Sequence, residues 1–131
     1  MKHIILIFSI AILLFSCSKE EGVGGKNTIT GVVMVQERHE LSDVIVAEYP
    51  ATEDRVYIVY GEDSYYSDEA RTNYDGSYRF EYLYGGSYSV FAYSECKICD
   101  AGTVPIIIPA ELSGKKDEVV LDTIFAIKYV D

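Results

Sequence analysis

Past residue 26 the chain alternates apolar and polar positions in short runs, and no apolar period of 3.6 residues persists there for ten residues. Period two without period 3.6 predicts strands and little helix. Residues 28–35 place Ile29, Gly31, Val33 and Val35 on one face. Residues 44–48 and Arg55–Tyr60 are further runs, separated by Pro50 and the acidic pair Glu53-Asp54, which read as turns. In Ser77–Leu83 the alternation sets Tyr78, Phe80 and Tyr82 against Ser77, Arg79 and Glu81, and residues 87–94 put Tyr88, Val90 and Ala92 together. Gly85-Gly86 lies between those two runs, which predicts an antiparallel hairpin. Residues 103–108 hold Pro105 and are closed by Pro109, the mark of an edge strand. Residues 119–129 put Val119, Leu121, Thr123, Phe125, Ile127 and Tyr129 on a single face and read as the closing strand. Seven strands over residues 27–131 predict one all-β sandwich domain.

The first residues follow another pattern. Met1-Lys2-His3 precedes an uncharged apolar run over residues 4–15. Twelve residues fit a signal-peptide core of about 7 to 15 and fall short of the roughly 18 that span a bilayer. The next residues, Leu14-Phe15-Ser16-Cys17, resemble the lipobox of bacterial lipoproteins. That resemblance implies cleavage after residue 16 and a diacylglycerol thioether on Cys17, so the lipid bilayer is an expected partner. Several acyl chains, at about 0.8 kcal/mol per buried CH₂, anchor durably where one would not. Ser18, in place of an Asp, points to the outer membrane of a Gram-negative cell. Lys19-Glu20-Glu21 looks like the short export signal that carries some lipoproteins to the cell surface, although any solvated tether has this composition. Residues 17–26, with Gly22, Gly24 and Gly25, read as a lipidated, flexible linker, with the domain beginning at Asn27.

Residues 72–92, TNYDGSYRFEYLYGGSYSVFA, carry a second resemblance. Thr72, Asp75, Gly76, Tyr78, Phe80, Leu83, Gly86, Tyr88 and Val90 are similar to the signature of carboxypeptidase regulatory-like domains and their transthyretin-like relatives. Ile29-Thr30-Gly31-Val32-Val33 looks like that family's first strand. The resemblance implies a seven-stranded Greek-key β-sandwich acting as a spacer, scaffold or binding accessory, without catalysis. The residues agree with it: Asp75-Gly76 makes a tight turn, Tyr78 and Phe80 point inward, and Leu83 closes the strand.

Charge narrows the possible partners. Removing residues 1–16 takes away Lys2 and no acid, leaving 10 basic against 21 acidic side chains and a formal net charge of −11. Such an excess repels phosphate backbones, which excludes nucleic-acid binding as a leading reading. The candidate chemistry is sparse. His39 is the one imidazole after the leader, and His39-Glu40-Leu41-Ser42-Asp43 lacks the second histidine of a zinc-protease motif. Ser87 after Gly85-Gly86 is no nucleophile elbow, because Ser89 stands where a glycine is required. Glu62, Asp63, Asp68, Glu69, Asn73 and Asp75 have no EF-hand spacing, and an Asp-Gly turn needs no calcium. No catalytic residue, metal ligand or cofactor motif is assigned. Cys96 and Cys99 form an even pair in an exported chain, so a disulfide pinching their loop is expected, with free thiols the alternative.

The chain has 12 Tyr and no Trp, and 11 of the tyrosines fall between Tyr49 and Tyr93. Tyr65, Tyr66, Tyr74 and Tyr84 fall in expected loops beside acids, where they form a candidate binding surface; the alternative is that the 61–71 segment folds back over them. The expected function is therefore a non-enzymatic anchored accessory for a protein or glycan. The alternatives are a small hydrolase using opposed carboxylates, or a purely architectural envelope protein.

Overall fold

The computed structural model describes residues 20–131. The expected leader, the cleavage position, Cys17, Ser18 and Lys19 lie outside the described residues. Within them the chain forms β1 (Val23–His39), β2 (Ile45–Pro50), β3 (Arg55–Tyr60), β4 (Asp68–Arg71), β5 (Ser77–Leu83), β6 (Gly86–Glu95), β7 (Thr103–Leu112), β8 (Glu118–Val120) and β9 (Ile124–Val130), with no helix. Two sheets pack as an all-β sandwich: β1, β2, β5, β8 and β9 in one, and the antiparallel order β4-β3-β6-β7 in the other.

The 17-residue β1 is the axis of the first sheet. Ile29 pairs with both Phe80 of β5 and Val119 of β8, and Val35 pairs with both Tyr49 of β2 and Ala126 of β9. The partners change at Val33, whose N–H donates to the Gly76 carbonyl at 2.8 Å and whose carbonyl accepts from Ala51 N–H at 3.0 Å. Because a strand residue's N–H and C=O share one edge, β5 and β2 succeed each other along one side of β1, and β8 and β9 along the other. Facing the second sheet, Ile29, Val33, Tyr78 and Phe80 meet Val56, Ile58, Val90 and Ala92, all buried.

Nine strands replace the seven expected, for two reasons. β4 emerges from the acidic segment read as loop and pairs with β3, and the closing run breaks into β8 and β9. At that break β1 advances from Thr30 to Val33 while the partner advances from Val120 to Ile124, one residue more. An inserted residue reverses which side chains face inward. Val119 and Leu121 pack toward the core, but beyond the break Ile124 and Ala126 are buried and Phe125 is 46% exposed, so the expected single face is corrected. The same device acts in β5, where three steps from Phe80 to Leu83 oppose two from Ile29 to Asn27. Tyr82 takes a φ of 59° and turns out to 65% exposure, which lets Leu83 rather than Tyr82 enter the core.

The expected hairpin across Gly85-Gly86 is also corrected. β5 pairs with β1, whereas β6 pairs with β3 and β7, so the glycines carry the chain from one sheet to the other. Both apolar faces still point inward, but they meet across the core instead of side by side. A Cβ on Gly85 would lie 2.3 Å from Gly114 Cα, so backbone meets backbone here and a side chain has no room. β1 starts at Val23, ahead of the Asn27 boundary, and Gly22 is already tied in: its carbonyl accepts from Tyr84 N–H at 2.8 Å. β7 does lie at a sheet edge, with Pro105 and Pro109 both on its outward face.

Two buried tyrosines separate packing from hydrogen bonding. The Tyr88 hydroxyl accepts from Gly22 N–H at 2.9 Å and donates to the Tyr84 carbonyl at 2.6 Å, joining the start of the domain to the passage between sheets. The Tyr78 hydroxyl presses on Gly31, is buried, and has no hydrogen-bond partner among the described residues. Burial pushes the Tyr78 phenol up to about 12 from its ordinary 10.0. A raised phenol contributes stability that is whole below its ordinary pKa and is lost as pH climbs toward its folded value. Tyr88→Phe should therefore cost about 1–3 kcal/mol in urea unfolding at neutral pH, and Tyr78→Phe should leave the midpoint unchanged or raised. Above pH 10 the Tyr78→Phe chain should lose stability more slowly than the parent, read by repeating the titration at rising pH. Equal losses from both substitutions at neutral pH would contradict this assignment.

Candidate functional site

The second sheet has one face in the core and one in solvent, and the solvent face is not polar. Along β3, Val56 and Ile58 point inward, which leaves Tyr57 and Val59 outward; along β6, Tyr88, Val90 and Ala92 point inward, which leaves Ser89, Phe91 and Tyr93 outward. The register places Tyr57 opposite Phe91, and Phe91 opposite Ile107 of β7, with Tyr93 opposite Pro105. One row of cross-strand neighbours is thus aromatic, aromatic and aliphatic on the outside of the sandwich.

The rings touch. Tyr57 and Phe91 stack with centroids 5.0 Å apart and planes 18° from parallel. Tyr93 meets both edge-on, at 5.7 Å from Tyr57 and 5.6 Å from Phe91. Tyr66, from the loop between β3 and β4, also packs on Tyr57, with centroids 4.8 Å apart and planes tilted by 58°. Offset-stacked and edge-to-face pairs of this kind contribute about 0.5–1.5 kcal/mol each beyond burial, so the face is held as a unit. A shallow cleft of about 340 Å³ runs over it, lined by Phe91, Tyr93, Ile107, Tyr65 and Tyr66, with Asp63, Ser64 and Ser89 supplying polar groups. The overhanging loop is fastened at its base: Gly61 N–H donates to Ser87 O at 2.8 Å and Ser67 N–H to Ile58 O at 2.7 Å. Tyr60, beside the loop, has its phenol pushed up chiefly by burial and then by Asp68.

The four tyrosines singled out from sequence do not gather. Tyr65 and Tyr66 belong to the aromatic face, Tyr65 being 85% exposed. Tyr74 is equally exposed in the turn between β4 and β5, where its carbonyl accepts from Thr52 Oγ1 at 3.4 Å. Tyr84 lies over Gly24 at the passage between sheets, half-buried. Tyr57, Phe91 and Tyr93 were absent from the sequence-based set, although the signal was present: once Tyr88, Val90 and Ala92 are inward, Phe91 and Tyr93 must be outward.

The remaining candidates have structural surroundings. Cys96 and Cys99 are joined as a disulfide with Cα atoms 5.4 Å apart, inside the turn from β6 to β7 that Cys96 N–H and Gly102 O close at 2.9 Å. His39 ends β1, and its Nδ1 accepts from the N–H groups of Leu41 and Ser42 at 3.3 and 3.4 Å. Asp75 accepts from Ser77 Oγ and N–H at 2.6 and 3.0 Å; these bonds hold its carboxyl below the usual range. Gly76 follows at φ +81°, where a Cβ would strike the Val33 carbonyl at 2.4 Å. Among the described residues no group of three or more His, Cys, Asp or Glu side chains could hold a metal ion.

No family model and no curated protein matches the chain. Among solved structures it is similar to a proposed carbohydrate-binding protein from Pseudomonas aeruginosa, with 16% identity and a TM-score of 0.47 over 82% of this chain and 93% of that one. It is also similar to an (S)-allantoin synthase, with 13% identity and a TM-score of 0.35 over 74% of this chain and 41% of that enzyme.

Proposed function

We propose that this chain is a non-enzymatic lipoprotein, held to a bilayer through acylated Cys17, whose outer aromatic face binds a glycan. The observation that carries the reading is the outward aromatic group of Tyr57, Phe91 and Tyr93 on the sheet, with Tyr66 packed on it from the β3–β4 loop. Sugar rings present C–H faces that stack on aromatic faces, and their hydroxyls need polar partners close by. Asp63, Ser64 and Ser89 stand at the same cleft. Building the platform on strands cuts the ordering cost of binding, because the rings are already packed against each other. A hydrolase using acidic residues would need two carboxylates facing one cavity. The aromatic cleft contains Asp63 alone. Kinship with carboxypeptidase regulatory-like and transthyretin-like modules belongs to this proposal and rests on the 72–92 motif. An outer-membrane location, facing the cell surface, completes it and rests on Cys17, Ser18 and the Lys19-Glu20-Glu21 tether.

The binding claim is tested by running the full chain in native gels cast with laminarin, xylan, dextran or soluble peptidoglycan fragments. At least one should retard the parent, and Tyr66→Ala combined with Tyr93→Ala should abolish that retardation; both sites are more than half exposed or at half exposure, so the fold is retained. No retardation by any of the four, or equal retardation of both chains, rejects the aromatic face. Anchoring is tested separately. Cys17→Ala should move the chain from the membrane fraction of lysed cells to the soluble fraction, whereas continued membrane association would indicate an uncleaved apolar segment in place of lipid.

A further inference from the structure

At the end of the sandwich where the chain enters β1, a cleft of about 840 Å³ opens between the start of that strand, the passage at Gly85 and the loop carrying Gly114. The close approach of Gly85 and Gly114 leaves no room for a side chain at this junction, and Gly24, Gly25 and Gly86 join them in the lining. Lys26, Lys115 and Lys116 line it, and no carboxylate does. Of 11 basic side chains in the whole chain, three converge here, while all 21 acidic ones stand outside the lining. Among the described residues none of the three lysines is in an ion pair, although the charge of Lys115 acts on Asp117 and, after the hydrogen bonds from Ser113, helps hold its carboxyl below the usual range. The neighbouring acids already accept backbone N–H groups: Asp117 from Ser113 at 2.9 Å, and Glu21 from Ser87 at 3.4 Å.

We infer that this cleft binds a phosphate group. Three ammonium groups lining one cleft add their fields there, and a concave site focuses that field on an anion. A carboxylate carries one charge. A phosphomonoester carries about −1.5 to −2 at pH 7 and three strong acceptor oxygens, which matches three lysines. The net acidity of the chain makes the site selective, since a phosphate approaching from any other side is repelled. The cleft shares no lining residue with the aromatic face, so the inference stands apart from the glycan reading.

The test uses the full chain, ¹⁵N-labelled, in neutral-detergent micelles. Inorganic phosphate, glucose 6-phosphate and micelles doped with phosphatidic acid are each titrated while backbone amide shifts are followed. Saturable shifts should concentrate at Lys26, Gly85, Gly114 and their neighbours, should exceed those from chloride at equal ionic strength, and should weaken with added salt. A response to either soluble phosphate assigns a free or sugar-borne phosphate; a response to the doped micelle alone assigns a lipid headgroup. Lys115→Gln should weaken the response, and Lys26→Gln with Lys115→Gln and Lys116→Gln should weaken it by about tenfold or more. No saturable shift from any of the three probes overturns the inference, as does an undiminished response in the Lys115→Gln chain.

Discussion

The structure depends on β1 having strand partners on both edges from Thr28 to Arg38. No other strand is long enough to hold β5 and β2 in succession on one side and β8 and β9 on the other. With its centre saturated, the first sheet is three strands wide, and its outer edge at β9 is closed from across the sandwich. Ile127 N–H donates to Ser94 Oγ at 2.8 Å, and Tyr129 N–H to Glu95 Oε2 at 2.7 Å, both acceptors on β6. Side chains thus occupy the edge donors that would otherwise invite another strand. The second sheet, simple and antiparallel, is left free to present one face outward.

Strand positions were legible from the 2.0-residue period, because half-burial enforces it at each run. Pairing was not. Tyr78 and Tyr88 point inward whether their strands lie side by side or face each other across the core, so the pattern could not separate a hairpin at Gly85-Gly86 from a change of sheet. The inserted residues were equally hidden. A one-residue excess at Tyr82, and another between Val120 and Ile124, reverses the facing of all that follows, yet nothing in the local composition marks either. Residues of the 72–92 motif have visible reasons to be there: Thr72 Oγ1 donates to Ala51 O at 2.6 Å and accepts from Asp54 N–H at 2.9 Å, and Gly76 accommodates the Val33 carbonyl.

The candidate site was half legible for a related reason. Loop position is a guide to exposure, and it found Tyr65 and Tyr66, but it also selected Tyr74 and Tyr84, which the topology sends elsewhere. The rings that build the platform sit on strands, and a strand's outer face is expected to be polar. Tyr57, Phe91 and Tyr93 break that rule together, on neighbouring strands and in register. A local rule broken without a packing reason is where function is most often found.

Hydroxyl-radical footprinting of the chain, free and with whichever polysaccharide retards it, tests the central claim most directly. The account predicts that Tyr65, Tyr66, Phe91 and Tyr93, which line the cleft, lose reactivity on binding while Tyr74, in the turn between β4 and β5 and 85% exposed, keeps its own. Protection of Tyr74 with the four cleft rings unchanged would contradict it.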